Sequence, residues 1–225
     1  MAKLLIVEDH LDMVRLLQVY IEKINSRFTK ENTFCFSSKK GPLRIHSLTK
    51  LDGEGEKARA RMTGKKSDTF LEVFGFLSRH PNEKVLILID VLLNSQNISA
   101  PSFERYRADA EYSCELYAEL LRIRNGKKVS TFKNINQNNF VHLIYSRSDA
   151  SIGVVTAVLD DLFQKQNEED RRFFPRECTL FENISWCRNC CDTTDQDFGV
   201  VVTERDRERP LALPKEYRDY IQTLV

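Results

Sequence analysis

The sequence lacks any run of apolar residues close to the ~20 that a membrane-spanning helix needs. It also lacks a dominant charge, because 34 Lys and Arg residues are matched by 33 Asp and Glu residues, which leaves a net charge of +1. This balance does not favour nucleic acid or a membrane surface as the partner. The chain turns acidic at Glu8, which is too early for a secretory signal peptide.

A regular cysteine framework is missing as well. The six cysteines are scattered rather than spaced like those of a small disulfide-linked secreted domain. We therefore expect a cytoplasmic protein with reduced thiols. Cys187, Cys190 and Cys191, with Cys178 as a fourth ligand, suggest a zinc site. A second Cys-x-x-Cys pair is absent, so free or packed thiols are the preferred interpretation.

Short apolar runs that alternate with helical patterns are the main feature that is present. KLLIV (3–7), VLILI (85–89) and FVHLIY (140–145) predict strands that are buried on both faces. Apolar residues at helical spacing predict helices over 13–24, 70–77, 112–123 and 151–164. This alternation is typical of an α/β fold with a mainly parallel sheet.

Other segments give weaker predictions. Residues 33–36, 43–48, 178–181 and 199–203 are each candidate strands, and a terminal helix is expected after Pro214 with Ile221 and Leu224 on its apolar face. Long loops are predicted near 37–67, 94–112 and 167–197. The first of these contains nine Lys or Arg residues against three acidic ones, which is usual for a solvated loop.

Polar residues follow the three apolar strands where each one ends. Glu8 and Asp9 follow the first, Asp90 the second and Ser146 the third. The carboxyl ends of parallel strands open into the crevice where ligands bind, and carboxylates gathered there repel one another unless a cation is present. Oxygen ligands of this kind suit Mg²⁺. A carboxylate can also accept a group in covalent transfer, and a nearby hydroxyl can hydrogen-bond to a phosphoryl group.

Simpler interpretations remain open. Glu8 and Asp9 could be a solvated strand end that caps the next helix, and Ser146 could be a turn residue.

The sequence resembles the receiver domain of bacterial two-component response regulators. The resemblance rests on LLIVEDH (4–10), VLILIDVLL (85–93), CELYAELLRIRNGKK (114–128) and HLIYSRSDA (142–150), in that order along the chain. It implies a doubly wound, flavodoxin-like α/β fold with a mainly parallel five-stranded sheet and helices on both faces. We expect one such domain over residues 1–225, with insertions in the three loops and no separate output domain.

The resemblance also implies a role for each residue of the site. Glu8 and Asp9 become the acidic pair that holds Mg²⁺, and Leu92 offers its backbone carbonyl to the metal. Asp90 becomes the phosphoacceptor. The hydroxyl of Ser146 becomes the group that follows the phosphoryl group during switching.

Two positions depart from the family pattern. The lysine expected before a proline after the fifth strand is absent, and Arg209-Pro210 is the nearest segment. Arg209 could pair with the phosphoryl group as a planar fork rather than as a point charge. If the fifth strand is 178–181 instead, no cation faces the phosphoryl group. Asn94 stands where the family has a proline after the phosphoacceptor.

Three functions follow from these features. The first is a stand-alone response regulator that accepts a phosphoryl group from a histidine kinase and signals through contacts with other proteins, with a homodimer as an open alternative. The second is a receiver-like interaction module that works without phosphorylation. The third is a Mg²⁺-dependent phosphatase or nuclease, which the leucine at position 92 disfavours because those enzymes expect Asp-x-Asp.

Overall fold

Strands and helices alternate in the computed structural model, which describes residues 2–8, 11–35, 43–44, 66–91, 103–145, 149–165, 167–173, 219 and 221–224. The strands are β1 (Ala2–Val7), β2 (Thr33–Cys35), β3 (Leu43–Arg44), β4 (Lys84–Asp90) and β5 (Phe140–Tyr145). The helices are α1 (Leu11–Ile24), α2 (Lys66–Arg79), α3 (Phe103–Arg124), α4 (Asp149–Gln164) and α5 (Glu168–Arg171), and a 3-10 turn spans Lys30–Asn32.

The strands form one sheet in the order β3-β2-β1-β4-β5. Four of them, β2, β1, β4 and β5, are parallel, whereas the two-residue β3 runs antiparallel to β2 at the edge. The predicted α/β fold is therefore confirmed, with a parallel sheet of four strands. Both segments that were candidates for a further parallel strand, 178–181 and 199–203, lie outside the described residues.

Both faces of the central strands are covered. All six side chains of β1 and of β5 are buried, as are the five in the middle of β4. Successive side chains of a strand point to opposite faces of the sheet, so unbroken burial requires cover on each side. This explains why the three strands consist of continuous apolar runs rather than alternating ones.

Helix α3 corrects one loop prediction. Residues 103–112, which we assigned to a loop, form its first half, and the helix runs over 22 residues. In the segment FERYRADAEY, only Phe103, Tyr106 and Ala110 stand at helical spacing, among five charged residues, which makes the apolar pattern weak although Glu, Arg and Ala favour helices. Two other loop assignments were also too long, because α2 already begins at Lys66 and α5 lies within 167–197.

The predicted end of α3 near Gly126 is confirmed. Gly126 has a φ of 101°, in the left-handed region that glycine adopts without a penalty. The Gly126 amide donates to the Ile123 carbonyl at 3.0 Å, and the Lys127 amide donates to the Arg122 carbonyl at 2.9 Å. These two bonds form a Schellman motif, which satisfies carbonyls that the helix end would otherwise leave unpaired.

The end of the chain packs onto the core. Ile221 is buried, and Leu224 contacts the core from a half-buried position. The Asn25 side-chain amide, just past α1, donates to the carbonyls of Ile221 at 2.8 Å and Leu224 at 3.1 Å. Within the described part of the chain, no helix is both long enough and apolar enough to cross a membrane.

Candidate functional site

The sheet contains a topological switch point between β1 and β4. The chain leaves β1 to form β2 on one side of it and later returns to form β4 on the other side. In open parallel sheets, ligands bind in the crevice that opens beyond the carboxyl ends of the two strands at such a point. The topology therefore locates a candidate site before any side chain is considered.

Two acidic residues lie at this end of the sheet, Glu8 directly after β1 and Asp90 at the end of β4. Val7 pairs with Ile89 in the β1–β4 register, so the next residue of each strand brings Glu8 beside Asp90. Adjacent strands lie ~4.8 Å apart, which makes these two acidic residues near neighbours. The register places Glu8 and Asp90 at the same edge of the sheet, whereas Asp9, the third carboxylate of the predicted site, lies outside the described residues.

Glu8 is withdrawn from solvent, with only 2% of its surface exposed. Its Oε2 accepts a hydrogen bond from the hydroxyl of Tyr145, the last residue of β5. A buried carboxylate needs such partners, because the loss of hydration is costly unless hydrogen bonds or opposite charges replace it. Tyr145 is itself fully buried.

Asp90 lies between these two residues and is only half-buried. It pairs with Tyr145 in the β4–β5 register, and the Val91 amide just beyond it donates to the Tyr145 carbonyl at 3.0 Å. The three residues Glu8, Asp90 and Tyr145 thus form one row across β1, β4 and β5. Because residues in register share a face of the sheet, the two carboxylates and the phenol lie on the same side.

Tyr145 was not predicted as part of the site. The signal that could have identified it is a tyrosine at the end of an otherwise apolar strand, because a buried phenol usually finds a hydrogen-bond partner. That partner is a residue 137 positions earlier in the chain.

The other predicted site residues lie outside the described part of the chain. These are Asp9, Leu92, Ser146 and Arg209. The cysteine cluster proposed for zinc, Cys178, Cys187, Cys190 and Cys191, lies outside it too. Cys35 and Cys114, which the structure does describe, are buried and form no disulfide.

The donor chemistry of the row fits a hard divalent cation. Glu8 and Asp90 offer carboxylate oxygens, which suit Mg²⁺ better than the nitrogen and sulfur ligands that zinc prefers. Over the described ranges, no group of three or more His, Cys, Asp and Glu side chains comes together. In the predicted site, the third carboxylate is that of Asp9.

Comparison with protein-family models, with curated proteins and with solved structures finds no match to this chain. A functional interpretation therefore depends on the strand order, the row of Glu8, Asp90 and Tyr145, and the sequence motifs around them.

Proposed function

We propose that this protein is a stand-alone, receiver-like response regulator in which Asp90 accepts a phosphoryl group. One observation carries the proposal: the half-buried Asp90 ends a parallel strand beside the buried Glu8, at the switch point of the sheet. Counted among the parallel strands alone, β2-β1-β4-β5 follows the first four positions of the flavodoxin-like order 2-1-3-4-5. A further parallel strand beyond β5 would complete the doubly wound sheet.

The proposed reaction is an in-line phosphoryl transfer. A carboxylate oxygen of Asp90 attacks phosphorus while the bond from phosphorus to the donor breaks, and the departing group keeps the electron pair. From a phosphohistidine, the leaving imidazole nitrogen then takes a proton from water. From an acyl phosphate, the leaving group departs as a carboxylate. The product is an aspartyl phosphate, and attack by water on its phosphorus returns Asp90 and phosphate.

Negative charge accumulates at this site during transfer. The phosphoryl group arrives beside Glu8 and Asp90, both of which are acidic. A bound Mg²⁺ would supply the compensating positive charge. We propose that Glu8, Asp9, Asp90 and the Leu92 carbonyl hold it.

Two further residues have proposed roles that rest on the resemblance alone. The hydroxyl of Ser146 hydrogen-bonds to the phosphoryl group after transfer. The guanidinium of Arg209 pairs with it in place of the lysine of the family. As the partner that supplies the phosphoryl group we propose a histidine kinase or another signalling protein.

Intact-mass measurement tests the proposal. The full chain is incubated with acetyl phosphate and Mg²⁺, and we expect a mass increase of one phosphoryl group that is lost on treatment with hydroxylamine. Asp90→Asn should abolish the adduct. Asp160→Asn removes an exposed carboxylate on α4 and serves as the matched control, which should be phosphorylated like the parent protein. An adduct that persists in Asp90→Asn, or none in the parent protein, contradicts the proposal.

The hydrogen bond between Tyr145 and Glu8 favours a second candidate, a receiver-like interaction module that needs no phosphorylation. In that case Glu8 serves the fold rather than a metal, because its carboxylate is buried and accepts the phenol hydroxyl. The same experiment separates the two candidates. The module predicts no acyl-phosphate adduct, and it predicts that chelation of Mg²⁺ leaves the thermal midpoint unchanged.

A further inference from the structure

A cavity of about 530 Å³ opens where α3 ends and the chain turns toward β5. Small-molecule pockets typically have volumes of about 300–1,000 Å³, so this cavity has the size of a ligand site. Its apolar lining comes from Ile123, Val129, Phe132 and Ile135. Ile123 is buried, whereas the other three are only half-buried although they pack against the core. Their exposed portions form the apolar floor of the cavity.

Hydrogen bonds fix the segment that carries this lining. The Asn139 side chain donates to the Pro81 carbonyl at 2.7 Å, and the Val85 amide donates to the Asn139 carbonyl at 2.8 Å. At the other end, the Schellman motif around Gly126 sets the direction in which the chain leaves α3. Phe132 also packs edge-on against Phe74, with ring centroids 6.3 Å apart. The cavity is therefore preformed, which lowers the cost of binding.

The cavity lies in the most one-sidedly charged part of the described chain. Residues 120–139 contain five basic residues and no acidic one, although the chain as a whole has a net charge of only +1. Glu119 offsets part of this charge, because its carboxylate lies 3.1 Å from the Lys127 ammonium and 2.5 Å from the Arg122 guanidinium. Lys128 and Lys133 are exposed and have no ion-pair partner among the described residues.

We propose that this cavity binds a small organic anion that combines an apolar body with one phosphate or carboxylate group. The apolar floor receives the body, and Lys128 and Lys133 at the mouth attract the anionic group. A small molecule fits better than a protein partner, because a stable protein interface buries ~800 Å² on each side rather than filling one concave cavity. The ligand thus matches both the shape and the charge of the site.

This site is separate from the row of Glu8, Asp90 and Tyr145. The cavity is formed by residues that precede β5, whereas Tyr145 ends that strand. Six residues at ~3.3 Å per residue separate the two ends of β5 by about 17 Å. A ligand in the cavity therefore does not contact the row of Glu8, Asp90 and Tyr145.

A charged and a neutral dye test the proposal on the full chain. We expect 8-anilinonaphthalene-1-sulfonate to bind saturably with enhanced fluorescence, and octyl phosphate to displace it. The double variant K128Q/K133Q should weaken the binding of this dye about tenfold, because it removes the two positive charges that attract the sulfonate. The neutral N-phenyl-1-naphthylamine should bind both proteins equally. K23Q/K30Q removes two exposed lysines elsewhere and should leave both dyes unaffected.

Filling the cavity provides a second readout that does not depend on charge. Val129→Trp should abolish binding of both dyes while the thermal midpoint stays close to that of the parent protein. Ile135→Trp serves the same purpose if the first variant does not fold. The proposal is overturned if K128Q/K133Q binds the sulfonate dye as tightly as the parent does, or if both dyes still bind the filled variants. It is also overturned if the protein sediments with phosphatidylglycerol vesicles while octyl phosphate fails to displace the dye, because a membrane surface is then the ligand.

Discussion

The phenol of Tyr145 donates a hydrogen bond to the Glu8 carboxylate across the strand that carries Asp90. The bond links β5 to β1, which are not neighbours in the sheet. Both side chains are buried, so neither group can exchange its partner for water. A change in the ionisation or hydrogen bonding of the Glu8 carboxylate therefore affects the end of β5, which precedes Ser146 in the sequence.

We expect Tyr145→Phe to lower the free energy of unfolding by about 1.5–3 kcal/mol, because it removes a hydrogen bond to a buried acidic group. Glu8→Met, which removes the acceptor, should also destabilise the protein. The double variant should lose less free energy of unfolding than the two single variants together, because either change alone already breaks the bond. Urea unfolding of the four proteins at neutral pH measures this coupling. Additivity within ~0.5 kcal/mol would mean that the bond contributes nothing.

His142 makes stability depend on pH. It lies in β5 with its ring 4.7 Å from that of Tyr117, centroid to centroid. Burial, and after it the positive charge of Arg124, lower the pKa of His142 from 6.5 to about 3, and the Tyr117 backbone opposes this less strongly. Among the described residues, neither ring nitrogen has a hydrogen-bond partner of good geometry. The folded protein therefore holds His142 neutral, whereas the unfolded chain binds a proton below about pH 6.5.

We expect neutral His142 to make its full contribution to the free energy of unfolding above about pH 6.5. This contribution should be lost progressively as the pH falls toward about 3. The loss is about 1.4 kcal/mol per pH unit, or about 2 kcal/mol at pH 5. Urea unfolding at several pH values between about 7 and 5 measures this loss of stability. Most carboxylates titrate below that pH range and therefore contribute little to the change. His142→Leu should flatten the fall. His80→Asn, which alters a half-buried histidine paired with Glu83, should retain it. An equal fall in the His142→Leu variant would contradict this origin.

Two glycine replacements should have opposite effects. Gly126→Ala should destabilise the protein by about 1–2 kcal/mol, because the φ of 101° is strained for a residue that has a Cβ. An added Cβ meets nothing within 4 Å, so no clash adds to this backbone strain. Gly75→Ala lies within α2, where the new Cβ would be 3.4 Å from Arg79 and 3.5 Å from Phe132. Helix propensity favours that change by up to ~1 kcal/mol. Thermal unfolding of both variants compares them, and the same sign for both would refute the explanation.

The thiol of Cys114 should resist alkylation in the folded protein. Burial, reinforced by the charges of Glu115 and Glu111, raises its pKa far above the ordinary range, so almost no thiolate forms. We expect iodoacetamide at about pH 8 to leave the Cys114 peptide unmodified, and the same reagent in concentrated urea to label it. Peptide mass spectrometry follows this residue separately from the other cysteines. Rapid labelling without urea would show that α3 opens readily.

The strands were the most predictable part of the fold. Strands β1, β4 and β5 were predicted to within one residue, because burial on both faces leaves a continuous apolar run in the sequence. The first half of α3 was missed because its apolar residues at helical spacing, Phe103, Tyr106 and Ala110, stand among five charged residues. The antiparallel direction of β3 was not predicted either, since pairing direction depends on contacts between segments that are distant in sequence.

The candidate site was predictable in part. Glu8 and Asp90 stood out because each follows an apolar strand, and parallel pairing then brings them together. The partner of Glu8 could not be derived in the same way. Whether the Tyr145 hydroxyl reaches Glu8 depends on the register of β4 against both neighbours, which no local pattern specifies.

The pairing of β1 with β4 has a consequence for the protein during its synthesis. Ala2 pairs with Lys84, 82 positions later, so the apolar β1 leaves the ribosome long before this neighbour exists. At ~5–20 residues per second, the wait lasts roughly 4 to 16 s. Among the described strands, the short β2 is the one that can pair with β1 during that time. The apolar segment AKLLIV is meanwhile exposed to chaperones and to aggregation.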